Sequence, residues 1–72
     1  MIIVYGDSKG CFTCAILKSL LPKSRLDYRF YELDEDYTLE ELGELYPSFG
    51  AVPFILKNGV EITLKDLESL IL

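Results

Sequence analysis

Within 72 residues the hydrophobic period of this chain switches repeatedly between two and about 3.6, and no other feature constrains its fold more. Residues 2 to 5, Ile-Ile-Val-Tyr, are β-branched and aromatic and read as a strand, ended by the loop Gly6-Asp7-Ser8-Lys9-Gly10. From Phe12 to Leu21 the apolar residues Ala15, Ile16, Leu17, Leu20 and Leu21 make a helical stripe that Pro22 closes. Residues 27 to 33 read as a second strand, with Tyr28, Phe30 and Glu32 on one face and Tyr31 and Leu33 on the other. Thr38 and Glu41 form a capping box for a helix carrying Leu39, Leu42, Leu45 and Tyr46. Val52 to Leu56, the turn Asn58-Gly59 and Val60 to Ile62 make a hairpin. Thr63 and Asp66 resemble a second capping box, opening a last helix to Leu72. The order is β-α-β-α-β-β-α in a single domain, 1–72, with no linker, repeat or low-complexity segment.

A chain of this length removes only about 60% of its unfolded surface from water, so it builds one core. Half its residues are hydrophobic and 26% are charged, which excludes disorder. The net charge of -5, with no basic cluster or basic helical face, speaks against nucleic acid and anionic membrane surfaces as partners. The N-terminal apolar run is too short for a signal-peptide core, and no segment approaches a membrane span. A reducing cytoplasm is the expected compartment.

Cys11 and Cys14, the only cysteines, stand as Cys-Phe-Thr-Cys between the first strand and the first helix. At a helix N-terminus the unpaired backbone N–H groups and the helix dipole favour an anionic sulfur. Three readings compete. A structural zinc site wants four Cys or His ligands, and the chain has two Cys and no His. A staple closing so short a loop contributes only about 2 kcal/mol before strain is subtracted. Redox use is the reading the placement favours, because a C-x-x-C beside a βαβ pattern in a reducing compartment suits thiol-disulfide chemistry better than structure.

The order of elements and four local matches resemble the glutaredoxin branch of the thioredoxin superfamily over essentially the whole chain. The C-x-x-C follows the first strand, and Lys18 stands four residues after Cys14, where glutaredoxins usually carry a basic residue. Ala51-Val52-Pro53 stands where the family has Thr-Val-Pro, and Asn58-Gly59 matches its hairpin turn. The resemblance implies an α/β, thioredoxin-like fold of minimal glutaredoxin type with a four-stranded mixed sheet. Departures accompany it. Phe12-Thr13 replaces the commonest Pro-Tyr, Thr63-Leu64 falls where the family has Gly-Gly, and the tryptophan-containing signature of glutaredoxin-like donors reduced by thioredoxin reductase is absent.

By position, Cys11 is the expected nucleophile and Cys14, inside the first turn, the resolving thiol. Attack of Cys11 on a substrate disulfide gives a mixed disulfide, which Cys14 resolves. The resemblance extends the site to Lys9, Phe12, Thr13, Val52, Pro53, Thr63 and Asp66 as substrate-binding residues. Lys9 would hold Cys11 as thiolate or meet a glutathione carboxylate; its plain alternative is a solvated loop lysine. The resemblance makes the Val52-Pro53 bond cis, turning the Val52 backbone toward the cysteines for strand-like docking of an extended substrate. Phe12 reads as an exposed docking residue, Tyr5 as core, Lys18 as a helix-surface lysine with a minor electrostatic role, and Asp34, Glu35 and Asp36 as a solvated loop. With Cβ atoms restored at Thr63 and Leu64, glutathione should be a usable but weak substrate, held by the last helix's N–H groups with the Thr63 hydroxyl and by Asp66.

The expectation is a small, monomeric, cytoplasmic dithiol-disulfide oxidoreductase of glutaredoxin type. It would carry no bound cofactor and no metal, and would draw electrons from glutathione or thioredoxin reductase. Its acceptors would be protein disulfides or glutathione mixed disulfides, ribonucleotide reductase being the most familiar in the family. Two alternatives stand beside it: a glutathione-dependent dimer carrying a [2Fe-2S] cluster through Cys11, and a non-catalytic thioredoxin-fold binding module.

Overall fold

In a computed structural model, which describes residues 1–71, the alternating periods become one mixed sheet with helices on both faces. Among the described residues the chain forms β1 (Ile2–Gly6), α1 (Phe12–Leu20), β2 (Tyr28–Glu32), α2 (Leu39–Leu45), β3 (Phe54–Lys57), β4 (Val60–Ile62) and α3 (Leu64–Ile71). The sheet order is β2-β1-β3-β4, with β1 parallel to β2 and antiparallel to β3, and β3 antiparallel to β4. A parallel pair needs a crossover between its strands, and α1 supplies it.

The period of two in β1 divides the core. Ile2 and Val4 join Leu17, Leu21, Ile55 and Leu67, so α1 and α3 pack on one face. Ile3 and Tyr5 turn to the other, where Tyr37, Leu42, Phe54 and Leu56 collect beside α2. That second core is largely aromatic: the Tyr5 ring lies 5.2 Å from Tyr31 and 5.1 Å, edge-on, from Tyr37. Burying such rings stabilises a small domain beyond what their area alone contributes.

Several element ends differ from the sequence reading. Leu21 leaves the α-helix and starts a 3-10 turn, Leu21–Lys23, because Pro22 has no N–H to continue the α-helical ladder. The second strand covers 28–32 rather than 27–33, and Leu33 instead makes an isolated bridge to Tyr37. The third strand starts at Phe54, so Val52 and Pro53 form the bend before it, with a cis Val52–Pro53 peptide. Leu72, the expected end of the last helix, lies outside the described residues. The hairpin turn has the left-handed backbone that Asn-Gly suits, with φ of 51° at Asn58 and 84° at Gly59. No helix among the described residues is long and apolar enough to cross a membrane.

Candidate active site

Strand register collects the candidate residues at one end of the sheet. Gly6 pairs with Glu32 across β1 and β2, and Tyr5 with Phe54 across β1 and β3. The loop leaving β1, the Val52-Pro53 bend entering β3 and Thr63 leaving β4 therefore all emerge at that end. This places Lys9, Cys11, Val52, Pro53, Thr63 and Asp66 around a common edge although they span 58 positions of sequence, from 9 to 66.

Asp7 shapes the loop that delivers the first cysteine. Its side-chain Oδ1 accepts from the N–H groups of Lys9 (3.2 Å) and Gly10 (3.1 Å), and its carbonyl accepts from Cys11 N–H at 2.9 Å. Cys11 then caps α1 from an extended backbone, and its Sγ accepts the Cys14 N–H at 3.3 Å. The sulfur occupies the place of a Ser or Asp cap oxygen, where free helix N–H groups meet a negative partner.

The two sulfurs have different surroundings. Cys11 is half-buried, whereas Cys14 is wholly buried and faces the core. Burial, with a further contribution from its hydrogen bond to Cys11, pushes the Cys14 thiol up to about 12, against a smaller opposing effect of an Asp7 backbone hydrogen bond. Cys14 is thus held protonated and buried, next to a Cys11 that is only half-buried. Phe12, between them, is 82% exposed. Thr13 lines an apolar groove of about 330 Å³ between α1 and α3, with Ile16, Leu20, Leu64 and Glu68.

Three of the residues singled out in the sequence have partners within the chain. Lys9 is turned to Glu35, with Nζ 3.9 Å from its carboxylate and both side chains exposed, so its observed partner is not Cys11. The Thr63 hydroxyl accepts the Asp66 N–H, and the Asp66 carboxylate accepts the Thr63 N–H, each at 3.1 Å. That reciprocal capping box occupies the two side chains expected to meet glutathione. Lys18 is half exposed on the helix, and its electrostatic role has a named partner: its Nζ lies 2.8 Å from Glu32.

Glu32 itself was not foreseen as part of the site. It is only 3% exposed, and its carboxylate accepts from Ser8 N–H (2.7 Å), the Ser8 hydroxyl and Lys18 Nζ. Burial alone would raise its pKa, but Lys18 and Ser8 outweigh that and hold it at about 2. The Lys18 ammonium is raised in return, chiefly by its hydrogen bond to Glu32. Buried Tyr37 donates from its hydroxyl to the Gly6 carbonyl at 3.1 Å; burial first, then the Cys14 sulfur once it ionises and the nearby carboxylates, moves its phenol up to about 12. The available signal was an acidic residue on the Tyr28-Phe30 face of a strand, since a carboxylate there requires a cationic partner.

No group of three or more His, Cys, Asp or Glu among the described residues is arranged to hold a metal ion. No protein-family model matches the chain, and neither a curated protein nor a solved structure does.

Proposed function

We propose that the chain is a small thiol-disulfide oxidoreductase of glutaredoxin type on a thioredoxin-like fold, working through Cys11 and Cys14. One observation carries the reading: the half-buried Cys11 sulfur accepts the Cys14 N–H at the start of α1, while the Cys14 thiol is buried behind it. A helix-terminal N–H aimed at a sulfur favours its anionic, nucleophilic form. The sheet order, with the motif leaving the C-terminal end of a central strand, supports the fold assignment.

In this reading the Cys11 thiolate attacks one sulfur of a substrate disulfide, and the other substrate sulfur leaves as a thiolate that takes a proton from solvent. Cys14 must then lose its proton to attack the Cys11 sulfur. Releasing the substrate as its second thiol leaves the Cys11–Cys14 disulfide. Its buried thiol is a poor nucleophile until Cys11 is engaged, which orders the two steps. The acceptors are protein disulfides or glutathione mixed disulfides, and glutathione or thioredoxin reductase is the electron source; a reducing cytoplasm suits a motif that must return to dithiol.

Trapping tests the assignment. With a disulfide substrate, Cys14→Ser should stall as a stable mixed disulfide on Cys11, located by mass spectrometry, while Cys11→Ser should form none. An adduct on Cys14 alone would reverse the roles. Adducts on neither would remove the activity.

A further inference from the structure

We propose that Glu32 is a positioning residue for the Cys11–Cys14 dithiol, acting with Lys18 as a charge-balanced clamp that sets the equilibrium between dithiol and disulfide. The proposal rests on the exchange chemistry inferred above and assigns a determinant of its direction.

Glu32 reaches both segments that flank the motif. It accepts Ser8 N–H at 2.7 Å and the Ser8 hydroxyl, three residues before Cys11, and Lys18 Nζ at 2.8 Å, four residues after Cys14. One carboxylate thus ties the loop that delivers Cys11 to the helix that carries Cys14. Register reinforces the tie, because Glu32 is the β2 partner of Gly6, where β1 ends and the loop begins. The backbone N–H of Glu32 is itself held by the Asp36 carboxylate at 2.7 Å, so the end of the strand is anchored as well.

The clamp is also electrically neutral. A carboxylate 3% exposed needs a positive partner, and the ammonium 2.8 Å away supplies one. Lys18 is half exposed, and its Nζ lies 5.6 Å from the centre of the Phe30 ring. While the pair is intact, charges only 2.8 Å apart oppose one another's field. Removing one leaves the other without its nearest partner, although Glu35 and Asp36 also act on Lys18, which stands a helical turn after Cys14.

The sign of the effect follows. Glu32→Gln keeps most of the shape and leaves an unbalanced ammonium, which favours the thiolate of the reduced form and moves the equilibrium toward dithiol. Lys18→Met leaves an unbalanced buried carboxylate, which opposes that thiolate and moves the equilibrium toward disulfide. Loss of packing or folding has no reason to give opposite signs.

The test equilibrates the full chain, wild type and variants, with buffers of reduced and oxidised glutathione and measures the disulfide fraction by alkylation and mass spectrometry. In that exchange the dithiol gives up two protons and two electrons and the Cys11–Cys14 bond forms. The S–S bond of oxidised glutathione breaks, and two glutathione thiols are released. Glu32→Gln should shift the equilibrium constant about three- to tenfold toward dithiol, and Lys18→Met by a similar factor the other way. The double variant should return to within about twofold of wild type, the coupling expected of two charges that act as a pair. Circular dichroism confirms that each variant is folded before its shift is read, and the shift of Lys18→Met toward disulfide is required on its own. A wild-type protein that oxidises normally, with Lys18→Met unchanged or shifted toward dithiol, overturns the clamp and leaves the exchange reading standing. A wild-type protein that forms no Cys11–Cys14 disulfide in any of the buffers overturns the exchange reading and the clamp with it.

Discussion

Gly6 and Cys14 touch so closely that no side chain fits between them: a Cβ on Gly6 would stand 3.2 Å from the Cys14 Cβ and 2.7 Å from the Phe30 ring. The end of β1 thus serves as the floor on which the buried cysteine rests. The Gly6 carbonyl also accepts Leu33 N–H at 2.9 Å and the Tyr37 hydroxyl at 3.1 Å, so the floor is tied down on both sides of the sheet.

Gly6→Ala should therefore destabilise the protein by about 1 to 3 kcal/mol, the range for overpacking a filled core. Urea unfolding measures it. The same substitution should slow resolution of the mixed disulfide more than its formation, since it displaces Cys14 rather than Cys11. Equal slowing of both steps would argue that the contact matters for stability alone.

The Cys14 thiol should stay protonated well into the alkaline range. In Cys11→Ser, where burial remains the main cause, thiolate ultraviolet absorbance should be missing near pH 9, the ordinary value for a cysteine, and emerge only toward about 12 or on unfolding. Because the folded protein keeps a proton that the unfolded chain has released, this group makes stability fall as pH rises from about 9 to about 12. Thiolate absorbance from folded protein at pH 9 would contradict the burial argument.

Glu32 gives the opposite limb. Its folded pKa is depressed to about 2 from an ordinary 4.5, so its contribution is fully present above pH 4.5 and is lost as pH falls toward 2. Wild-type stability should drop across that window, and Glu32→Gln should be flatter there. At neutral pH the same variant should cost about 1.5 to 3 kcal/mol, the scale for losing a hydrogen bond to a charged group. Parallel acid profiles for the two proteins would mean that other carboxylates dominate.

Phe12 separates binding from folding. At 82% exposed it contributes little packing, so Phe12→Ala should leave stability within about 0.5 kcal/mol. In the exchange reading it should raise KM for a protein disulfide and leave a small aromatic disulfide unaffected. Equal loss with both substrates would assign Phe12 to the chemistry rather than to docking.

Thr63 and Asp66 cap α3 as their spacing in the sequence predicts. Asp66→Ala should cost about 0.5 to 2 kcal/mol through loss of the reciprocal bonds. Because the capping box already engages both side chains, Asp66→Ala should change KM for glutathionylated substrate by less than about twofold. A larger rise in KM at unchanged stability would restore the expected glutathione role.

The strands, helices and hairpin turn were legible in the sequence because they rest on short-range causes: period two in Ile2–Tyr5, the helical stripe Ala15–Leu21, the capping pairs Thr38/Glu41 and Thr63/Asp66, and the left-handed backbone that Asn58-Gly59 suits. The C-x-x-C was legible for the same reason, since three positions separate its sulfurs. What only the tertiary structure decided were contacts between distant positions. Glu32 lies 24 positions from Ser8 and 14 from Lys18, and nothing local requires a carboxylate to be buried between them. Their meeting depends on the parallel register of β1 and β2, which brings Gly6 beside Glu32. Lys9 is a further case: its place in the sequence left a role at Cys11 and a solvated loop lysine both open, and only the fold set Glu35 beside its exposed side chain.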